Sequence, residues 1–121
     1  ILYIGTTDGN DDVFVANGDG TGETMLTGAP GNERAAAWSP DGTQIAYTSA
    51  ILQGQHLWVM DADGANQQDL TLDFEHYQLI GWSPDGTRIA SCATIDGQMV
   101  TSIMDHDGAN QTTPMVPCRF G

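Results

Sequence analysis

A nine-residue stretch constrains the fold most. WSPDGTRIA at residues 82–90 repeats WSPDGTQIA, which stands 44 residues earlier at residues 38–46. The agreement extends downstream, because an ungapped comparison of residues 38–71 with residues 82–115 contains 16 identities in 34 positions. A weaker copy occupies the start of the chain. Repetition at this period is typical of chains built from stacked supersecondary units. The sequence therefore predicts one array of about two and three-quarter repeats, at residues 1–32, 33–75 and 76–121.

Each period has room for four short strands joined by turns, and none for a helix. The segment ERAAAW at residues 33–38 would favour a helix by propensity alone. Its counterpart, HYQLIGW at residues 76–82, contains glycine and has the composition of a strand, so we expect a strand in both repeats. LWVM at residues 57–60 is continuously apolar, which predicts a sheet that is covered on both faces. We also expect outer strands at residues 66–71 and 110–116.

Asp-Gly pairs mark the predicted turns. SPDG follows each tryptophan of the repeat, D-x-D-G follows the third strand, and residues 8–12 (DGNDD) form a further turn. The glycines that close the repeated turns should adopt a positive φ: Gly42, Gly64, Gly86 and Gly108.

The motif WSPDGTxIA, followed by an apolar strand and MDxDGANQ, closely resembles the TolB-type β-propeller repeat. This resemblance covers nearly the whole chain. It implies an all-β fold made of four-stranded antiparallel propeller blades. The repeat occurs in periplasmic scaffold proteins, in bacterial surface proteins and in propeller domains attached to peptidases, so the resemblance implies fold better than function.

Composition excludes several functions. The formal net charge is −13, with three arginines and no lysine, so nucleic acid and anionic membranes are not expected partners. No apolar run is long enough to span a bilayer. The chain opens on Ile1 without methionine or a basic leader, and we expect a processed or excised segment. Acidity, the absence of lysine and a possible cysteine pair favour an extracytoplasmic location.

Clustered carboxylates give the first candidate site. Alternation of the strands places the SPDG and D-x-D-G turns on one face of the array. There, Asp61 with Asp63, and Asp105 with Asp107, have the hard oxygen ligands that calcium prefers. The alternative is that these aspartates accept backbone hydrogen bonds within ordinary turns. No other cofactor is expected.

The opposite face gives a second candidate site. Glu33, Glu75 and His76 precede the inner strands of their repeats, near the mouth of a central channel. Carboxylates there could bind a cation or a basic peptide, and the alternative is a set of solvated loop side chains.

Two further patterns concern single side chains. Cys92 and Cys118 both belong to the third repeat, and a disulfide bond between them is one expectation. The alternatives are a pair of buried thiols, or a bond from Cys118 to a neighbouring chain. Ser83 beside Asp85 suggests a hydrolase, but Ser39 and Asp41 repeat the pattern without a histidine base, so both serines are interpreted as turn residues. No catalytic residue is assigned.

The sequence therefore favours a non-catalytic structural or protein-binding module. Its expected partners are copies of itself, the remainder of a longer propeller or a basic protein. One alternative is the propeller domain of an exported hydrolase, and another is a calcium-dependent binding module.

Overall fold

The structure is a computed structural model that describes residues 1–7, 9–27, 32–50, 55–70, 77–95 and 97–112. Within these residues the chain forms ten strands: β1 (Leu2–Thr7), β2 (Asn10–Val15), β3 (Thr24–Met25), β4 (Asn32–Trp38), β5 (Gln44–Ala50), β6 (Gln55–Asp61), β7 (Gln68–Asp69), β8 (Tyr77–Trp82), β9 (Arg88–Ile95) and β10 (Gln98–Asp105). The all-β prediction is confirmed, and β4 is a strand in spite of its alanine-rich sequence. Packing against neighbouring strands outweighs intrinsic helix propensity here.

The strands form three antiparallel sheets, which we call blades 1, 2 and 3. Blade 1 has the order β1-β2-β3, blade 2 the order β4-β5-β6-β7, and blade 3 the order β8-β9-β10. A single bridge between Ile103 and Thr112 adds a fourth segment to blade 3. Each blade is thus a meander whose successive strands are neighbours, as the repeat predicted.

Two elements differ from the prediction. Residues 10–12 belong to β2 and are not part of a turn. The outer strands are shorter than expected, since β7 has two residues and the described part of segment 110–116 contributes one bridge. Gln68 and Asp69 of β7 are polar and exposed, whereas Leu70, which follows them, is buried in the core.

The core lies between the blades. Ile45 and Tyr47 of β5 pack towards blade 1, where Val13 is fully buried. Ala46, between them in the sequence, packs instead towards blade 3 with Ile89. Alternate side chains of blade 2 therefore contact two interfaces, which explains why the segment LWVM at residues 57–60 of β6 is apolar without interruption.

Candidate functional site

The two SPDG turns are closed by the same hydrogen bonds. The Ser39 hydroxyl donates to Asp41 Oδ1 at 2.7 Å, and this oxygen also accepts from the backbone N–H and hydroxyl of Thr43, at 3.0 and 2.8 Å. Ser83 and Asp85 repeat the arrangement, with 2.7 Å between hydroxyl and carboxylate. The interpretation of both serines as turn residues is confirmed.

The carboxylates of the D-x-D-G turns also accept hydrogen bonds from donors within the same turn. Asp61 accepts a hydrogen bond from the side-chain amide of Asn66 at 2.7 Å, and Asp63 accepts one at 2.9 Å from the backbone N–H two residues further on. Forty-four residues later, Asp105 and Asp107 make the same two bonds at 2.8 and 2.9 Å. All four candidate metal ligands thus have a donor within their own turn.

The two kinds of turn lie side by side, as alternation of the strands predicted. The backbone N–H of Ala62 donates to the carbonyl of Thr43 at 3.0 Å, and that of His106 donates to the carbonyl of Thr87 at 3.0 Å. We call this surface the turn face. It carries exposed aspartates on all three blades.

Hydrogen bonds lower the pKa of several turn carboxylates. The Ser83 hydroxyl, with the backbone N–H and hydroxyl of Thr87, lowers the pKa of Asp85 to about 2. The N–H of Thr43 and the Ser39 hydroxyl lower the pKa of Asp41 for the same reason. Donors that point at a carboxylate stabilise its charged form.

No group of three or more His, Cys, Asp or Glu side chains is arranged to hold a metal ion in the part of the chain that the structure describes. Calcium prefers six to eight oxygen ligands. Binding of calcium by Asp61, Asp63, Asp105 and Asp107 stays a prediction.

The second candidate site differs from its predicted surroundings. Glu33 lies inside β4 and is only 3% exposed, so the alternative of a solvated loop side chain is wrong for this residue, while its binding of a cation or a basic peptide stays a prediction. Its Oε1 accepts a hydrogen bond from the Ser49 hydroxyl at 3.1 Å. Glu75 and His76, the other two candidates, lie outside the described residues.

Glu33 meets a carboxyl group that sequence reasoning did not single out. Asp12 of β2 is also 3% exposed, and its carboxyl group contributes to the raised pKa of Glu33. The expected turn at residues 8–12 concealed Asp12, because a turn aspartate is normally solvated. The available signal was the pattern of β2, where Asp12 directly precedes the apolar run Val13 to Val15.

Cys92 lies in β9, is 2% exposed and takes part in a disulfide bond. Its expected partner Cys118 lies outside the described residues, so the pairing of the two stays a prediction.

These features define a class of protein. Sequential antiparallel meanders of three or four strands stack face to face with a period of 44 residues, and turns of fixed chemistry line one rim, so the chain is a β-propeller repeat protein. It belongs to the TolB β-propeller domain family, whose model matches residues 1–115.

Solved structures share this fold. TolB from Agrobacterium tumefaciens superposes with a TM-score of 0.83 at 24% identity, over 93% of this chain and 44% of that chain. TolB from Acinetobacter baumannii gives a TM-score of 0.76 at 21% identity, over 93% of this chain and 29% of that one. Dipeptidyl peptidase 4 from Porphyromonas gingivalis gives 0.76 at 17% identity, over 93% and 16%. No curated protein is similar enough in sequence to match.

This chain spans less than half the length of the TolB structures it resembles. In the described residues, no helix is long and apolar enough to cross a membrane.

Proposed function

We propose that this chain is a non-catalytic propeller module that binds protein through the two outer faces of its blade stack. The partner is another copy of the chain or the remainder of a longer propeller. The main observation that supports this proposal is that two equivalent tryptophans, Trp38 and Trp82, have different surroundings.

Trp82 shows which contacts this tryptophan makes when a neighbouring inner strand is present. Its indole N–H donates to the carbonyl of Ala37 at 3.1 Å, and its ring packs against the core between blades 2 and 3. Trp38 occupies the same position one repeat earlier but is 37% exposed. Among the described strands, β1 of blade 1 pairs only with β2, whereas β5 and β9 each have an inner neighbour. An inner strand beside β1 would give Trp38 the surroundings that Trp82 has.

The other end of the stack supports the same proposal. Ala90 and Ile103 of blade 3 line a cavity of about 370 Å³. Their counterparts one repeat earlier, Ala46 and Val59, are buried against blade 3. Both ends of the stack therefore have the composition of a blade interface, and two such ends suit head-to-tail assembly.

The chemistry of the turn face supports a non-catalytic role. Each repeated serine donates a hydrogen bond to an aspartate, and Asp85 has a pKa of about 2, so this carboxylate is a very weak base. A nucleophilic serine needs a base that accepts its proton near neutral pH. The alternative is that this chain is the propeller domain of a protein that also has a hydrolase domain. The similarity to dipeptidyl peptidase 4 supports only a shared fold.

The surroundings of the module are also proposed. A disulfide at Cys92 supports an extracytoplasmic location, since disulfides persist in oxidising compartments. A net charge of −13 supports a basic protein as a further partner. Binding to such a partner should weaken as ionic strength rises.

The mass of the particle in solution tests the assembly proposal. Light scattering of the 121-residue chain at micromolar concentration should return a mass above 12.9 kDa. Trp38→Asp should lower that mass, because a charge would be buried at the completed interface. Met25→Ser is the matched control, since Met25 is 49% exposed on β3, at the other edge of blade 1. A well-folded particle of 12.9 kDa would rule out another copy of the chain as the partner.

A further inference from the structure

A pair of carboxyl groups is buried where blade 1 packs on blade 2. Asp12 belongs to blade 1 and Glu33 to blade 2, and each is 3% exposed. Strands β1 and β2 both contact β4, so the pair lies within the interface and not at its solvent rim. Ser49 donates to Glu33 Oε1, while Oε2 of Glu33 is buried without a donor among the described residues.

The neighbours of the pair hold both carboxyl groups in place. Asp12 Oδ1 accepts a hydrogen bond from the Thr27 hydroxyl at 3.2 Å, and the Thr27 hydroxyl accepts one from the backbone N–H of Val13 at 2.9 Å. Across the interface, the N–H of residue 11 donates to the side-chain carbonyl of Asn32 at 2.9 Å. The last of these bonds connects the two blades beside the carboxyl groups, and the other two lie within blade 1.

No positive charge compensates the pair within the described residues. The ion pairs formed there are His56 with Asp69 and Arg88 with Asp105, neither of which includes Asp12 or Glu33. Among the described residues, the charge of Glu33 acts on Tyr47 of β5, while Asp11 of β2 and Arg34 of β4 are the ionisable sequence neighbours of the pair. The Arg34 side chain is exposed, and the Tyr47 hydroxyl has its pKa raised by burial and by the charge of Glu33.

Two carboxylates cannot both be ionised cheaply in such surroundings, because burial and mutual repulsion each favour the neutral acid. Burial is the main cause that raises the pKa of Glu33 to about 7. The hydrogen bond from Ser49 opposes this effect, and the neighbouring Asp12 adds to it. A proton on Glu33 Oε2 would supply the missing donor and turn a repulsive contact into a hydrogen bond with Asp12.

We propose that a proton held by Glu33 joins its carboxyl group to that of Asp12, and that this pH-sensitive contact holds blade 1 against blade 2. In the mildly acidic range the contact is a hydrogen bond between an acid and a carboxylate. In the alkaline range both groups are charged, and their repulsion loosens the packing of blade 1.

Among the described residues, this arrangement is found where blade 1 packs on blade 2. One repeat later, Asp12 and Glu33 are replaced by His56 and Tyr77, and Ser49 is replaced by Ala93. The equivalent positions between blades 2 and 3 therefore lack both carboxyls and the serine hydroxyl. Alkaline loosening should be confined to β1, β2 and β3 and should leave β8, β9 and β10 unchanged.

The direction of the pH effect follows from linkage. The pKa of Glu33 is raised from an ordinary 4.5 to about 7, so the folded state binds the proton more tightly than the unfolded chain. The proton stabilises the folded state fully when the pH is below 4.5, the ordinary pKa of the group. This stabilisation is lost as the pH rises through about 7, and the stability does not change further at higher pH. Each unit of raised pKa changes the unfolding equilibrium constant about tenfold.

Carboxyl NMR tests the proposal without any substitution. The chain contains three glutamates, Glu23, Glu33 and Glu75, so ¹³C labelling of glutamate gives a spectrum with three side-chain carboxyl signals. One signal should titrate near pH ~7, and Glu33→Gln should remove that signal. Titration of all three glutamates near the ordinary value would overturn the proposal.

Substitutions test the consequence for folding. Glu33→Gln places an amide donor towards Asp12 and mimics the protonated acid. From pH ~5 to ~8, the unfolding equilibrium constant of the wild-type chain should rise by about a hundredfold, and that of Glu33→Gln should change little. Asp12→Asn should flatten the profile in the same way. The exposed control Glu23→Gln should retain the wild-type profile, and a profile that stays steep in Glu33→Gln would contradict the proposal.

Two further measurements separate this proposal from its alternatives. Hydrogen exchange at pH ~8 should be faster in β1–β3 of the wild-type chain than of Glu33→Gln, with equal rates in β8–β10. If each strand exchanged at the same rate in the wild-type chain and in Glu33→Gln, a local contact would be ruled out. If calcium chloride instead abolished the titration near pH ~7, a cation and not a proton would join the carboxyls, and the proposal would be wrong.

Discussion

Trp82 donates its indole N–H to the backbone carbonyl of Ala37 at 3.1 Å, so the last residue of one inner strand is hydrogen-bonded to the neighbouring inner strand. The bond joins blades 2 and 3 at the rim that carries the SPDG turns. Since the ring also packs on the core between these blades, one side chain contributes both an apolar and a polar contact to the interface.

Replacing this tryptophan tests how much the polar contact contributes. Trp82→Phe keeps an aromatic ring but removes the donor, which should lower the free energy of unfolding by about 0.5–1.5 kcal/mol. Trp38→Phe is the matched control, because Trp38 has the same place in the repeat and is 37% exposed. In the unassembled chain its effect should be smaller, and equal shifts of the urea midpoint for both variants would contradict this account.

The repeat predicted most of the fold, for a physical reason. Two repeats with nearly identical motifs have the same conformation if they stack, so equivalent segments form equivalent elements. The glycine in YQLIGW at residues 77–82 favours a strand, and this predicted a strand for ERAAAW at residues 33–38 against its own helix propensity. The turns were predictable from their residues, and Gly42 and Gly86 do adopt positive φ values of 75° and 74°.

The buried carboxyl pair was not predictable in the same way. Repeat comparison finds what the blades share, whereas Asp12 and Glu33 have no carboxylate counterparts one repeat later. Their burial depends on which strand faces which across an interface. The difference between Trp38 and Trp82 has the same origin, because identical residues acquire different surroundings at the end and in the middle of a stack.

Backbone strain gives a second prediction. Gly86 has a φ of 74°, and a Cβ built there would meet only Pro40 Cδ, at 3.5 Å, so a substitution would be strained by conformation and not by crowding. Gly86→Val should therefore destabilise the fold by about 1–3 kcal/mol. Gly18→Val is the control, since Gly18 lies in a turn without a positive φ and with open space around it. An unchanged denaturation midpoint for Gly86→Val would show that this turn tolerates a side chain.

Acid unfolding gives a third prediction. The pKa of Asp85 is lowered from 3.8 to about 2 by its hydrogen bonds to Ser83 and Thr87, so its folded form favours the charged state. The stability it contributes is present above the ordinary value and is lost as the pH falls through about 2. Asp85→Asn should flatten the loss of melting temperature in this acidic window. Asp107→Asn removes an exposed carboxylate from another turn, and an equal flattening in that variant would assign the effect to overall charge.

Calcium gives a fourth prediction. The carboxylates of Asp61 and Asp63 already accept hydrogen bonds from within their turn, so the turn does not need a cation to satisfy them. The melting temperature should be the same in excess chelator and in millimolar calcium. If calcium raised the melting temperature of the wild-type chain but not that of the double variant Asp61→Asn/Asp63→Asn, the chain would instead be a calcium-binding module.

The disulfide gives the last prediction. Cys92 lies in the middle of β9, opposite Thr101 of β10 and Gln78 of β8, and the chain contains two cysteines. If Cys118 is its partner within the same chain, the bond closes a loop of 25 intervening residues and should stabilise the fold by about 3 kcal/mol. Non-reducing peptide mass spectrometry should find the two cysteines in one cross-linked species, and a reductant should lower the urea midpoint. The double variant Cys92→Ser/Cys118→Ser should not respond to reductant, which separates loss of the bond from other effects of the reagent. Two free thiols, or a cross-link between two chains, would contradict the intrachain bond.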